Sequence, residues 1–547
     1  MVKKSLAMAA LLMGIMPVAA QDSYENARLL GSDLNGTARY VGMGGALEAL
    51  GADISTISTN PAGIGLFRRS TISLSAGMLM QQDAQKFDNL NTTNMSFDQI
   101  GFVYTADMEE DSRLNFAFNY HKSRNFDQIL SAANRQMMGA SMSKLAFAKS
   151  TKESDRAGGY YWDTNNSGEI IGWRDRNSDE RAYSYTQWDY LYFNTIGYDN
   201  IANEALYVEA GPGSRDAYTF DRAHRGWIAD FDFNMSGSIH DRVFLGLTIG
   251  LHNVNYNGFS SYSENIIDAA NVERGDLTMV DDRKITGTGV DIKLGGIFRP
   301  FEDSPFRIGL SLSTPTWYDL KSKNYTRLHN NTDPNWNQWG YNEGENGEVY
   351  EFKYYTPWKF GLSLGHTIDN MLALGASYEY TDCSSADTRI NDGYDDYGNS
   401  DSYSDRLMND QTSRSLKGMH TLKLGAELKP TPQMAVRLGY NYVSPMFNKN
   451  GFRDSQVDSP GTMYASTADY TNWEDTHRVT CGMGYKFERL SLDVAYQYST
   501  TNGSFYPFQP NVVFDDPQGE RGVTCISSPT SVSNKRHQLL LTLGYTF

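Results

Sequence analysis

The last ten residues, QLLLTLGYTF, place Leu539, Leu541, Leu543, Tyr545 and Phe547 on one face of an extended chain and Gln538, Leu540, Thr542, Gly544 and Thr546 on the other. The same two-residue period runs through LNFAFNY from Leu114, VFLGLTIGL from Val243, TLKLGAEL from Thr421, MAVRLGYNY from Met434 and LSLDVAYQY from Leu490. One face is apolar throughout. The other carries Lys423, Glu427, Arg437, Asn441, Asp493 and Gln497, charged and amide groups that a soluble sandwich core could not hold unpaired. Apolar residues facing out and polar residues facing in describe an all-β fold, a transmembrane antiparallel β-barrel whose closure satisfies every backbone group.

Runs of this kind fall near 70–80, 98–108, 112–123, 226–238, 241–255, 285–299, 305–316, 350–367, 371–382, 415–429, 432–443, 474–487, 489–500 and 534–547, about fourteen, an even number as bacterial barrels require. Short turns alternate with long polar connections, the longest from about Ser123 to Arg225. This alternation predicts periplasmic turns at one end and outer loops at the other. In this register Leu424 faces lipid. Gly425 faces inward beside Lys423 and Glu427, where an arginine is expected to be tolerated. Trp317, Tyr318, Tyr354, Tyr355, Trp358, Tyr440 and Tyr442 cluster toward strand ends and read as interfacial girdles.

Lys3 and Lys4, an apolar run from Leu6 to Val18 and small residues at Ala19 and Ala20 have the layout of a secretory signal over residues 1–20, with cleavage expected after Ala20. No cysteine follows to carry a lipid. The formal net charge of −17 excludes a nucleic-acid partner. Cys383, Cys481 and Cys525 form no CxxC pair, which argues against a disulfide framework or zinc site; pairing of Cys383 with Cys525 stays open.

Between the signal and the first strand lies a Gly/Ala-rich segment, TARYVGMGGALEALGADISTISTNPA from Thr37 to Ala62, followed by GIGLF. This segment, ahead of fourteen strands and a terminal Phe547, resembles the N-terminal hatch of FadL/TodX-type outer-membrane transport proteins, including its Asn60-Pro61-Ala62. The resemblance implies residues 21–69 folded inside the barrel formed by 70–547. It also implies a short helix over Gly44–Leu50, packing glycines at Gly42, Gly44 and Gly45, and a bend at Asn60-Pro61-Ala62. Pro61 fits such a bend physically, since it restricts Asn60 to extended angles and cannot donate to a ladder.

The function so implied is passive transport of a small hydrophobic molecule, fatty-acid-like ligands first, across the outer membrane of a Gram-negative bacterium. Its partners would be that ligand, outer-membrane lipids and lipopolysaccharide, and the barrel assembly machinery reading Phe547; no cofactor is expected. In that family an inward kink of the third strand opens the wall, whereas RLNFAFNYHKSR carries neither Pro nor Gly to signal one.

Other motifs point elsewhere less well. Gly361-Leu362-Ser363-Leu364-Gly365 matches a hydrolase elbow but alternates as a straight strand. Gly42-Met43-Gly44-Gly45 lacks the βαβ context of a nucleotide loop. Asp163, Asn165 and Ser167 begin like a calcium loop, but its twelfth position is Arg174. His252, His366, His420 and His537, at or near strand ends, read as lumen or interface residues. No enzyme is predicted. The alternative function is a non-transport barrel: a surface scaffold, a haem or ligand receptor, or a subunit of a secretion or uptake assembly.

Overall fold

Fourteen antiparallel strands close into one barrel in the computed structural model, with neighbours in sequence paired throughout. They are β1 (Thr71–Gln82), β2 (Thr93–Asp107), β3 (Arg113–Asn125, continued by Gln128–Asn134), β4 (Tyr218–Ile239), β5 (Val243–Ile267), β6 (Glu273–Phe298) and β7 (Arg307–Ser313, continued by Trp317–Asn331). The second half is β8 (Glu348–Tyr355, continued by Lys359–Ile368), β9 (Leu372–Asp382, continued by Asp387–Tyr394), β10 (Gly418–Leu428), β11 (Met434–Val443), β12 (Tyr470–Phe487), β13 (Leu490–Tyr506) and β14 (Thr530–Thr546). β14 pairs with β1 from Thr71↔Thr546 to Gln82↔Lys535, which leaves no free edge at closure. The structure describes residues 22–547 except 109–111, 136–140, 144, 147–159, 165–169, 176–185, 197–216, 268–271, 333–337, 342–347, 370, 395–399, 510–511, 515–522 and 526–527. The signal segment 1–20 lies outside them.

Period-two alternation sets the two faces. Leu539, Leu541, Leu543 and Tyr545 are exposed on the outside, while Leu540 and Thr542 between them are buried within. Short turns gather at one end; in the β4–β5 turn His240 and Asp241 both take φ near +50°, the twist that two-residue hairpins favour. At the other end β4, β5 and β6 run for 22, 25 and 26 residues, well past the expected spans.

Leu424 faces outward at 43 % exposure. We expect Leu424→Arg to cost about 2–4 kcal/mol near the bilayer midplane. Heat-modifiable migration on gels should show a smaller folded fraction; a wild-type fraction would mean the register is shifted by one residue.

Two expectations need correction. Tyr318 and Tyr354 are not girdle residues: they are 4 % and 1 % exposed and join an apolar cluster in the lumen, because each alternates with an outward or edge neighbour, Trp317 and Tyr355. And β3 is not straight. Its pairing with β4 slips between Lys122 and Arg124, and the regular ladder is interrupted at Phe126 and Asp127, where the Phe126 amide still donates to the Gly226 carbonyl (2.9 Å), before resuming at Gln128.

Candidate functional site

Thr37 accepts a hydrogen bond from the Tyr40 amide (3.1 Å) and so starts a helix over Ala38–Gly42. Gly44 and Gly45, at φ +62° and +83°, end it. Gly44–Leu50 is consequently a run of turns, and the helix expected there is one turn upstream. This segment lies against the inner wall. A Cβ on Gly44 would sit 2.8 Å from the Tyr440 amide nitrogen and 2.9 Å from the Leu424 carbonyl oxygen, one on Gly42 3.3 Å from Gly482 Cα, and one on Gly45 2.9 Å from a Leu34 methyl.

The inward charges find their partners on this segment. Lys423 reaches Glu48 (2.7 Å), which Ser377 also contacts, and Glu427 accepts from Arg39 (3.1 Å) and Arg437 (2.6 Å). Arg437 continues to Asp493 (2.6 Å). The Ala38 amide donates to Thr542 Oγ1 (2.7 Å). Asn60 caps a 3₁₀ turn over Pro61–Leu66 by accepting from the Ala62 amide (3.2 Å), with Pro61 in the first position. The Pro61 carbonyl accepts from Ser236 Oγ (2.8 Å), and the chain then turns through Phe67 toward β1.

At the other end of the segment, residues 22–30 enter an aromatic cage. Tyr24 stacks on Phe447 with centroids 5.2 Å apart and donates to Asn472 Oδ1 (2.8 Å). Leu29 and Leu30 bury with Phe126, Tyr318, Tyr354 and Met419. Asp22 and Glu25 pair with Arg453 and Arg283.

The wall is incomplete beside this segment. β2 and β3 are paired only from Gln99↔His121 to Asp107↔Arg113, so Thr93–Asp98 of β2 and Lys122–Asn134 of β3 share no ladder bonds. Met95 at that edge is 83 % exposed. Other groups take over the freed backbone. Gln81 accepts from the Ile129 amide (2.8 Å) and donates to its carbonyl (2.6 Å). The Asp33 amide donates to the Ser123 carbonyl (2.8 Å), and the Asn125 amide donates back to Asp33 Oδ2 (2.9 Å). Asn35 bridges both edges through Nδ2, to Asp98 Oδ1 (3.1 Å) and to the Lys122 carbonyl (3.0 Å). Bending without Pro or Gly is thus accounted for by side chains and by the N-terminal segment supplying the partners that β2 withdraws.

Arg124, Arg478 and Arg536 each hold a guanidinium nitrogen 3.9 Å from the Asp33 carboxylate. Burial alone would raise the Asp33 carboxyl, but these three cations and the Asn125 amide outweigh it and hold it below its ordinary value. A cavity of about 340 Å³ opens here, lined by these groups and by apolar side chains such as Leu30, Phe126, Met419 and Trp473. Above it, Trp188, Leu191 and Tyr192 of a helix over Gln187–Ile196 bury with Tyr218, Phe220, Phe505 and Phe508. None of Asp33, Asn35, Arg124, Arg478 or Arg536 was singled out by sequence reasoning. The alternation that puts Thr480 and Gln538 inward also puts Arg478 and Arg536 inward, but their convergence on Asp33 has no local signal.

Gly361–Gly365 lies within a straight part of β8, with Ser363 opposite Ser377. Asp163 falls on a short strand over Tyr160–Thr164, and Asn165 and Ser167 lie outside the described residues. Cys383 is a free, buried thiol, so the pairing left open for it is not formed. His420 and His537 face outward, each accepting or donating at Nδ1 with a tyrosine hydroxyl, Tyr378 and Tyr496, at 2.7 Å. His252 lies mid-strand and buried, not at a strand end.

No protein-family model matches the sequence, and no curated protein matches it. Solved structures do. A Pseudomonas aeruginosa FadL homologue is similar over 94 % of this chain and 99 % of its own, at 14 % identity and TM-score 0.50. The Ralstonia pickettii toluene transporter TbuX (12 % identity, TM-score 0.46) and the Pseudomonas putida toluene transporter TodX (11 %, 0.43) each cover 94 % of this chain and 99 % of their own. The likeness to the Pseudomonas aeruginosa protein is one of fold: this chain is a closed fourteen-stranded outer-membrane-type barrel built as FadL-type barrels are.

Proposed function

We propose that the protein is a passive outer-membrane transporter for small hydrophobic molecules bearing an anionic head, fatty acids foremost, gated by residues 21–69 acting as a hatch. The observation that carries this reading is the unpaired stretch between β2 and β3, stitched from inside by Asp33 and Asn35 beside a mixed apolar and basic cavity. A ligand carboxylate entering the cavity competes with Asp33 for Arg124, Arg478 and Arg536. Losing that anchor loosens the Asp33–Ser123 and Asn35–Lys122 bonds, and the gap opens sideways toward the bilayer. The short-turn end then faces the periplasm, the long strands face outward, and Phe547 serves the barrel assembly machinery. Lipopolysaccharide and other outer-membrane lipids surround the wall.

Binding of a labelled fatty acid to the detergent-purified protein tests this. Arg478→Ala with Arg536→Ala should weaken binding about tenfold or more, the worth of one charge-assisted hydrogen bond. Asp33→Ala should tighten it, and a neutral hydrocarbon should be indifferent to both. One observation favours a second reading: the apolar cage already holds Tyr24, Leu29 and Leu30, as suits a closed barrel serving as scaffold, receptor or assembly subunit. Wild-type protein that binds neither fatty acid nor hydrocarbon would decide for that reading.

A further inference from the structure

Four strands bring two histidines, three aspartates and a lysine together at the root of the gap, all buried in the lumen wall: His121 on β3, Asp230 and Asp232 on β4, His252 on β5, and Asp291 and Lys293 on β6. His252 spans two carboxylates, with Nδ1 2.8 Å from Asp230 Oδ1 and Nε2 3.0 Å from Asp291 Oδ2. Lys293 spans another two, 2.9 Å from Asp232 Oδ1 and 3.1 Å from Asp291 Oδ1. Ser123 Oγ donates to Asp230 Oδ1 (2.9 Å).

These contacts leave one oxygen on each β4 aspartate. Asp230 Oδ2 lies 3.8 Å from His121 Nε2, and Asp232 Oδ2 lies 3.6 Å from His121 Nδ1. Asp232 is fully buried and its Oδ2 has no hydrogen-bond partner. With a carboxylate oxygen against each of its ring nitrogens, His252 donates from both and is cationic. Three carboxylates thus face two cations, and the cluster keeps an excess of negative charge in a buried wall, where charge is tolerated when it is paired or coordinates a metal.

We infer that His121, Asp230 and Asp232 bind a divalent transition-metal ion of the zinc class. Their donor atoms lie within 4.8 Å of one another. Bonds of about 2.0–2.2 Å to one imidazole nitrogen and two carboxylate oxygens place donors about 3.3–3.6 Å apart, so an ion closes the site by turning the His121 ring to present one nitrogen to both aspartates and drawing the three side chains together by up to about an ångström. An imidazole in the set favours zinc and its neighbours over magnesium or calcium. His121 and Asp230 line the lumen cavity, which supplies both the entry path and room for a fourth ligand such as water. Lys293 and His252 orient the two aspartates from behind. The site does not depend on the barrel carrying any ligand.

The test uses the full chain in detergent, stripped with a chelator and titrated with zinc by calorimetry, and separately with cobalt(II) followed by its visible absorption. Wild type should take up one ion at this site, with cobalt bands of a low-coordinate nitrogen–oxygen site. Asp232→Asn, which keeps the side-chain shape, and His121→Asn should each weaken uptake by more than about tenfold. His477→Asn, which removes an exposed histidine 2.9 Å from Asp475, should leave that uptake unchanged. Heat-modifiable migration checks that each variant is folded, and the wild-type cobalt spectrum stands as evidence should a variant fail to fold. Absence of saturable zinc uptake and of cobalt bands in the wild type, or uptake that folded Asp232→Asn and His121→Asn variants retain in full, overturns the assignment.

Discussion

Gly439→Val should lift the N-terminal segment off the wall while leaving the barrel closed. Gly439 faces inward on β11, and a Cβ there meets the backbone of Met43, 2.5 Å from its carbonyl carbon, and that of Gly44. Backbone on the far side cannot rotate away as a side chain would, so the strain falls on the whole docked turn. Overpacking of this kind costs about 1–3 kcal/mol where neighbours can adjust, and more where they cannot. The strand itself gains from a β-branched residue. Limited proteolysis of the extracted barrel should release residues N-terminal to β1, and proteoliposomes should admit small polar solutes faster than wild type. The same geometry corrects the expectation for Gly425: its Cβ points at the Met43 carbonyl, so Gly425→Arg displaces the segment too, although Lys423 and Glu427 flank it on the polar face. Wild-type cleavage and permeability in Gly439→Val would mean that the segment is not held where these contacts put it.

Removing Glu427 should be the most costly single loss of charge in the lumen. Its carboxylate is 2 % exposed and is shared between Arg39 of the segment and Arg437 of the wall, with Lys429 Nζ 3.7 Å away. Glu427→Ala leaves two guanidinium groups facing each other without their common anion, and breaking a buried pair from one side costs about 3–5 kcal/mol. Glu427→Gln keeps an acceptor and should lose less. A double-mutant cycle with Arg39→Ala, read by denaturant unfolding and by hydrogen exchange across residues 38–52, separates the bond to the segment from the bond within the wall. A loss under about 1 kcal/mol for Glu427→Ala would put the site among solvent-screened surface pairs and count against a closed, dry contact.

What the sequence by itself determined is local and periodic. Side-chain direction along a strand alternates for covalent reasons, so Leu539, Leu541 and Leu543 outside and Lys423, Glu427 and Arg437 inside could be read from spacing alone, as could fourteen strands and their short turns. Asn60 before Pro61 likewise carries its cap in two adjacent residues. Tertiary structure decided whatever depends on which strands meet. Glu48 and Arg39 are hundreds of residues from Lys423 and Glu427. The bend in β3 has no Pro or Gly because Gln81, Asp33 and Asn35 supply its missing hydrogen bonds from elsewhere in the chain. Asp33 gathers three arginines, and His121 meets Asp230 and Asp232, only once β2, β3, β4, β12 and β14 have taken their registers. Polarity chooses the face a residue occupies; closure of the barrel chooses its partner.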